Sequence, residues 1–153
     1  MKAFLKGFQY AFQGIIYCIK NERNMRIHTV AALYVLIFAR FFAFTREDYV
    51  LLLLTIGGVM SAEAVNTAVE SLADKVSGKQ DPLIKAAKDA AAGAVLILAV
   101  FSVGIALFLF GRAEGFAAMY EFYSTHPLHL AGMVLLSVLS LIYIIGLPIK
   151  KHK

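Results

Sequence analysis

Four long apolar runs decide what this chain can become. They cover roughly Ile27 to Thr45, Tyr49 to Leu72, Ala90 to Phe110 and Pro127 to Ile149. A bilayer hydrocarbon core is crossed by about 20 apolar residues in a helix, so each run is long enough to span one. With 60% of its 153 residues hydrophobic, the chain carries more apolar material than a small soluble core would use. The third run is the clearest, because no charge interrupts it. The expected fold is all-α and membrane-integral.

The charges agree with that expectation. If the N-terminus lies in the cytoplasm, twelve of the 15 Lys and Arg residues fall in inside loops and tails. Only Arg40, Arg46 and Arg112 are left outside. Both termini are then cytoplasmic in a multi-pass protein of the cell membrane. The net charge of +5 therefore reads as topology and anionic-lipid attraction, and not as a nucleic-acid groove. Lone Cys18 excludes an internal disulfide and matches no metal-ligand spacing. The first residues mix Lys2 and Lys6 with aromatics and show no cleavable secretory signal.

Residues 2 to 20 form a different kind of element. Lys2, Lys6, Gln9, Gln13 and Lys20 fall on one helical face, and Phe4, Phe8, Phe12, Ile15 and Ile19 on another. That pattern predicts an amphipathic helix lying on the membrane surface. Residues 21 to 28 link it to the first span. Thr45 to Asp48 makes a short outer connection with a helix start. The inner loop runs from Asp74 to Asp89 and holds two turn signals, Ser77-Gly78 and Asp81-Pro82. A longer, mildly acidic outer loop covers Gly111 to His126. The fourth run has no ionisable group between His129 and Lys150 and reads as an anchor or packing helix.

The second run carries the chemistry. Glu63 and Glu70 are seven residues apart, and Asn66 and Asp74 lie near the same helical stripe. Ionisable groups in or beside a span are costly to dehydrate and usually mark function. Counted from Tyr49, Glu63 lies about 21 Å along the helix and Glu70 about 31 Å. The first position suits a lipid head group, and the second a water-soluble phosphate donor. Glu22 approaches the same interface from the other side. Two carboxylates converging there could hold Mg²⁺, which prefers oxygen ligands and commonly bridges phosphate oxygens. Lys88-Asp89 adds a cation for a transferring phosphate and a further polar contact. Each group has an ordinary alternative: a solvated Glu22, a positive-inside Lys88, an interhelical Asn66. One interhelical contact, however, would not need Glu63, Asn66 and Glu70 together. Neither a Walker phosphate loop nor the protein-kinase glycine loop is present.

The segment Glu63-Ala-Val-Asn-Thr-Ala-Val-Glu70 with Asp74, and Ala87-Lys88-Asp89 followed by Ala90 to Val95, closely resembles the prokaryotic diacylglycerol kinase family. Asn21-Glu22 fits as well. Ala11 to Ile15, followed by Glu22 to His28, is most similar to its undecaprenol kinase branch. The resemblance covers about residues 4 to 111. It implies a homotrimer with a surface helix and three core spans per chain, its sites shared between protomers. It implies ATP and Mg²⁺ as cofactors and a lipid alcohol as acceptor. Carried over by motif, Glu63 is the general base, and Glu22 and Glu70 hold the metal. Lys88 meets the terminal phosphate and Asp89 the nucleoside. Tyr10, Lys79, Gln80 and Asp81 match positions near the nucleotide, and Lys6 and Asn66 positions near the lipid or the base.

Two departures bear on the acceptor. His28 stands where some diacylglycerol-specific relatives have an acidic residue, and Ala3 where some have a basic one. Residues 1–112 are thus read as a membrane kinase domain. Residues 113–153, with a fourth span and a basic cytoplasmic tail, lie outside it and have no assigned chemistry. The expected function is phosphorylation of undecaprenol or a similar long-chain alcohol, with diacylglycerol as the alternative acceptor. A four-span proton-coupled transporter would use Glu63 as a proton site but needs no nucleotide contacts at its rim. A structural subunit leaves the cost of Glu63 unexplained.

Overall fold

The computed structural model describes residues 2–76 and 81–146. It is all helical: α1 (Lys2–Asn21), α2 (Arg23–Ala39), α3 (Arg46–Val76), α4 (Pro82–Phe110), α5 (Ala113–Thr125) and α6 (Pro127–Gly146). Among the described residues three helices, α3, α4 and α6, are long and apolar enough to cross a membrane. The 17-residue α2 is shorter, about 25 Å at 1.5 Å per residue, and sits at the lower limit for a span. The side-chain pattern matches a lipid environment. Leu109 is the buried residue of α4 and Ser140 that of α6, so their apolar surfaces face outward nearly all round. Hydroxyls inside the helices bond their own backbone, as Thr29 does to the Met25 carbonyl and Thr55 to that of Leu51. Such self-satisfaction is what a medium without water demands.

Helices α3 and α4 pair along their length, α2 packs against both α3 and α6, and α5 leans on α6. A small core of Ala39, Leu52 and Leu109, flanked by Val35, Phe44, Ile56, Ile105 and Phe110, joins α2, α3 and α4. Helix α1 meets α2 and α3, and among its described side chains burial is reached at Cys18 in its last turns. Its Phe4, Phe8, Phe12 and Ile15 stay exposed, as a helix resting on a membrane surface would leave them.

Two boundaries differ from the sequence expectation. The first apolar run does not continue as helix to Thr45. It ends at Ala39 and turns through Arg40–Ala43, with Ala43 in the left-handed region at φ 47°. That conformation costs a non-glycine residue about 1–2 kcal/mol. It is offset by the burial of Phe42, 3% exposed, whose ring meets those of Phe44, Phe110 and Phe116. The expected outer loop is instead mostly helix α5. Gly111 closes α4 where a Cβ would lie 2.5 Å from the Leu107 carbonyl. Gly115 lies under the Phe42 ring, where a Cβ would approach to 2.3 Å. Only glycine lets α5 come this close.

The start of α3 is locally specified. Thr45 Oγ1 accepts from the Asp48 N–H at 3.3 Å, and Asp48 Oδ2 accepts from the Thr45 N–H at 3.0 Å. This reciprocal cap satisfies two otherwise orphaned donors. Arg112, from the α4–α5 junction, donates to the Phe42 carbonyl at 3.2 Å and reaches Asp48 at 3.5 Å.

Candidate active site

In the second half of α3 the helix period stacks Glu63, Asn66, Thr67 and Glu70 on one face, turned toward α2 and α4. Glu63 is 1% exposed, and neither of its carboxylate oxygens has a hydrogen-bond partner among the described residues. An isolated buried carboxylate is among the costliest groups a fold can keep. Thr67 donates its hydroxyl to the Glu63 carbonyl at 2.9 Å and so serves its backbone, not its carboxylate. Asn66 Nδ2 donates to Glu70 Oε1 at 3.0 Å and so fixes the second carboxylate. The Asn66 Oδ1 has no partner among the described residues.

These groups face an open cavity of about 330 Å³ lined by Asn24, Ile27, His28, Glu63, Asn66, Glu70, Ala92, Val95, Leu96 and Ala99. The α4 wall is made of small and aliphatic side chains, so the cavity has one polar side and one apolar side. A second cavity of about 160 Å³ lies beside it between α2, α3 and α4, lined mostly by apolar side chains including Val35, Leu52, Val59 and Ile105. His28 lines both. A site built this way suits a molecule with a polar head and a hydrocarbon body.

Glu22 stands between α1 and α2, as the residue preceding the first turn of α2, and makes no side-chain cap there. It is half-buried. Burial pushes its carboxyl above the usual carboxylate range and nearby Glu70 pushes it further, while Arg26 draws it partly back. Glu22, Glu63 and Glu70 are thus electrostatic neighbours contributed by two elements. Among the described residues no trio of His, Cys, Asp or Glu is arranged to hold a metal ion alone. The donor set is all oxygen and short of ligands. It fits a hard cation that arrives with substrate phosphates and needs only one or two protein carboxylates.

The other residues singled out by the sequence are placed unevenly. Lys88 pairs with Asp74 across the α3–α4 pair at 2.7 Å, and Asp89 is held by Lys85 one turn before it. Asp81 caps α4, accepting from the Leu83 N–H at 2.8 Å. Tyr10 and Lys6 lie on the exposed part of α1 and do not line the cavity. Lys79 and Gln80 lie outside the described residues. Asn24 and His28, given no role in the sequence reading, are cavity residues. Their signal was available: they sit two and six residues after Glu22 and extend its approach into the cavity wall.

Most of the chain is similar to known proteins. The sequence model of the prokaryotic diacylglycerol kinase family matches residues 9–110. The undecaprenol kinase of Bacillus subtilis (strain 168) is 42% identical over 110 residues, covering 72% of this chain and 89% of that protein. A diacylglycerol kinase of Synechocystis is 40% identical over 100 residues, covering 65% of this chain and 57% of its own length. One from Haemophilus influenzae is 30% identical over 101 residues, covering 66% and 85%. No solved structure matches the chain. A proton-coupled transporter finds no support in these similarities. The apolar helices, the carboxylate cavity at one end of them and the match across residues 9–110 lead to one conclusion: the chain belongs to the prokaryotic diacylglycerol kinase family and is a membrane-embedded lipid kinase.

Proposed function

We propose that this lipid kinase transfers the terminal phosphate of ATP to the hydroxyl of undecaprenol, or a similar long-chain alcohol, at the cytoplasmic face of the membrane. The carrying observation is the buried Glu63 carboxylate, neither oxygen hydrogen-bonded among the described residues, beside Glu70 in a cavity with one apolar wall. Glu63 takes the proton of the lipid hydroxyl as its oxygen attacks the γ-phosphorus. The bond to the β-phosphate oxygen breaks, and ADP leaves. Phosphoryl transfer needs mainly positioning and neutralised charge. Mg²⁺ carried by the phosphates would supply that neutralisation when bound, with Glu22 and Glu70 holding it.

Lys88 is the cation for the γ-phosphate, which competes with Asp74 for it. Asp89, Tyr10, Lys79, Gln80 and Asp81 form the nucleotide side. Asn66 keeps Glu70 oriented, and Lys6 lies toward the lipid. A homotrimer supplies the remaining walls. Similarity to the Bacillus subtilis enzyme supports undecaprenol, and the apolar cavity adjoining His28 has room for the first part of a hydrocarbon chain. Similarity to the diacylglycerol kinases supports the second acceptor.

The test is phosphate transfer from labelled ATP in mixed micelles containing Mg²⁺, with undecaprenol and diacylglycerol offered side by side. Preferential labelling of undecaprenol is expected. Preferential labelling of diacylglycerol replaces the acceptor, and labelling of neither overturns the assignment.

A further inference from the structure

Among the described residues two ionisable side chains are fully buried, Glu63 and Arg26. Glu63 belongs to the chemistry. Arg26, 0% exposed, has no carboxylate within ion-pair distance among the described residues. A buried charge persists only where other groups replace its hydration. Here backbone carbonyls do so. Arg26 Nη1 donates to the carbonyls of Ile19 and Lys20, each at 3.3 Å, and Nε donates to that of Ile144 at 3.3 Å.

All three acceptors lie in the last turns of helices, α1 for the first two and α6 for the third. The last four carbonyls of a helix lack intrahelical partners and carry the negative end of its dipole. A planar guanidinium can serve several such acceptors at once, whereas an ammonium is a point charge. One side chain therefore draws two helix ends to the start of α2. Glu22 stands inside the same knot. It follows Ile19 and Lys20 in sequence, and its own carbonyl accepts the Arg26 backbone N–H at 3.4 Å. Further along, Tyr34 of α2 donates to Ser137 of α6 at 2.9 Å, so the two helices are tied at two levels.

Helix α6 lies beyond residues 9–110, the part that matches the family. We propose that α6 is a brace for the catalytic end of the bundle: through Arg26, a positioning residue, its C-terminal turn holds Glu22 where the metal–phosphate complex binds. This rests on the metal-holding role given to Glu22 above. The brace touches no substrate. It fixes the direction in which the Glu22 carboxylate is offered.

Full-chain variants test it in the micelle assay, read as the Mg²⁺ concentration giving half-maximal transfer and the KM for the lipid. R26K keeps the charge but not the fork, and should raise the half-saturating Mg²⁺ by about tenfold, the scale on which loss of an outer support weakens a metal site. S140L acts from the other side. Ser140 is buried and shares a face with Ser137 and Ile144, so a larger side chain pushes α6 off α2 without altering residues 9–110. It should raise the half-saturating Mg²⁺ in the same direction, up to the roughly tenfold expected of R26K, with the lipid KM little changed. If R26K does not fold, S140L alone decides. A folded S140L protein with unchanged Mg²⁺ dependence overturns the brace, even if kcat falls uniformly, because a purely structural helix would lower activity that way. Wild-type transfer that does not depend on Mg²⁺ removes the role of Glu22 and the brace with it.

Discussion

The two ends of α3 are built to opposite rules. At the Asp48 end the charges that meet the fold are paired: Asp48 caps the helix and meets Arg112, and Arg112 also holds the Phe42 carbonyl. Arg40 lies over the rings of Phe41 and Phe122, at 4.6 and 4.9 Å from their centroids. Aromatic rings fill the space between. In the half that carries Glu63 the carboxylates crowd together, the Glu63 oxygens have no hydrogen-bond partner among the described residues, and a cavity replaces the packing. One helix thus spends its first turns on stability and part of its second half on a site that stability alone would not keep. The contrast locates function without reference to any relative, since a fold retains an unpaired buried carboxylate only where something else completes it.

Substitutions should separate the two ends cleanly. The largest effect is expected for Glu63→Gln, which should lower turnover by roughly 100- to 10,000-fold, the range of a lost general base. Nucleotide binding, followed by equilibrium titration, should barely change, and the thermal midpoint should not fall because a buried charge has been removed. Turnover equal to wild type would take Glu63 out of the mechanism. Next comes Glu70→Gln. It keeps an oxygen for Asn66 but loses the charge, and should raise the Mg²⁺ requirement by about 10- to 100-fold. An unchanged Mg²⁺ titration would leave Glu70 a structural partner of Asn66 only.

At the opposite end the order of effects inverts. Gly115→Ala places a methyl group against the Phe42 ring and should cost about 1–3 kcal/mol of stability, measured by denaturation in detergent. Turnover per folded molecule should stay at wild type, and a drop would mean the ends are coupled. Arg112→Ala should be the mildest. Its contact with Asp48 is partly exposed and long and its bond to the Phe42 carbonyl is a single one, so about 1 kcal/mol is expected, and only the Asp48 share should fade at high salt.

How much of this was readable from the chain differs by the kind of interaction. The Glu63, Asn66 and Glu70 stripe was legible because helical period alone puts those residues on one face, and an apolar background makes polar side chains conspicuous. The surface helix was legible for the same reason. The turn at Arg40–Ala43 was not. Its phenylalanines read as more membrane span, and what breaks the helix is ring packing between Phe42 and residues some 70 positions away. Helix α5 was hidden behind a mildly acidic composition, and the close approach allowed by Gly115 carries no periodic signal. The Arg26 knot was the least legible, because its partners are backbone carbonyls, one of them 118 residues away, and carbonyls leave no mark in a sequence. The pairing of Lys88 with Asp74 shows a further limit: motif position marks a residue as important but not which neighbour holds it.

The length of α3 has a consequence of its own. At 31 residues it measures about 46 Å, against a hydrocarbon slab of about 30 Å. The surplus falls on its charged ends, Arg46 to Asp48 at one and Asp74 to Lys75 at the other. Those turns reach past the hydrocarbon into water, so the helix is held against sliding along the membrane normal by the cost of dragging either end inward.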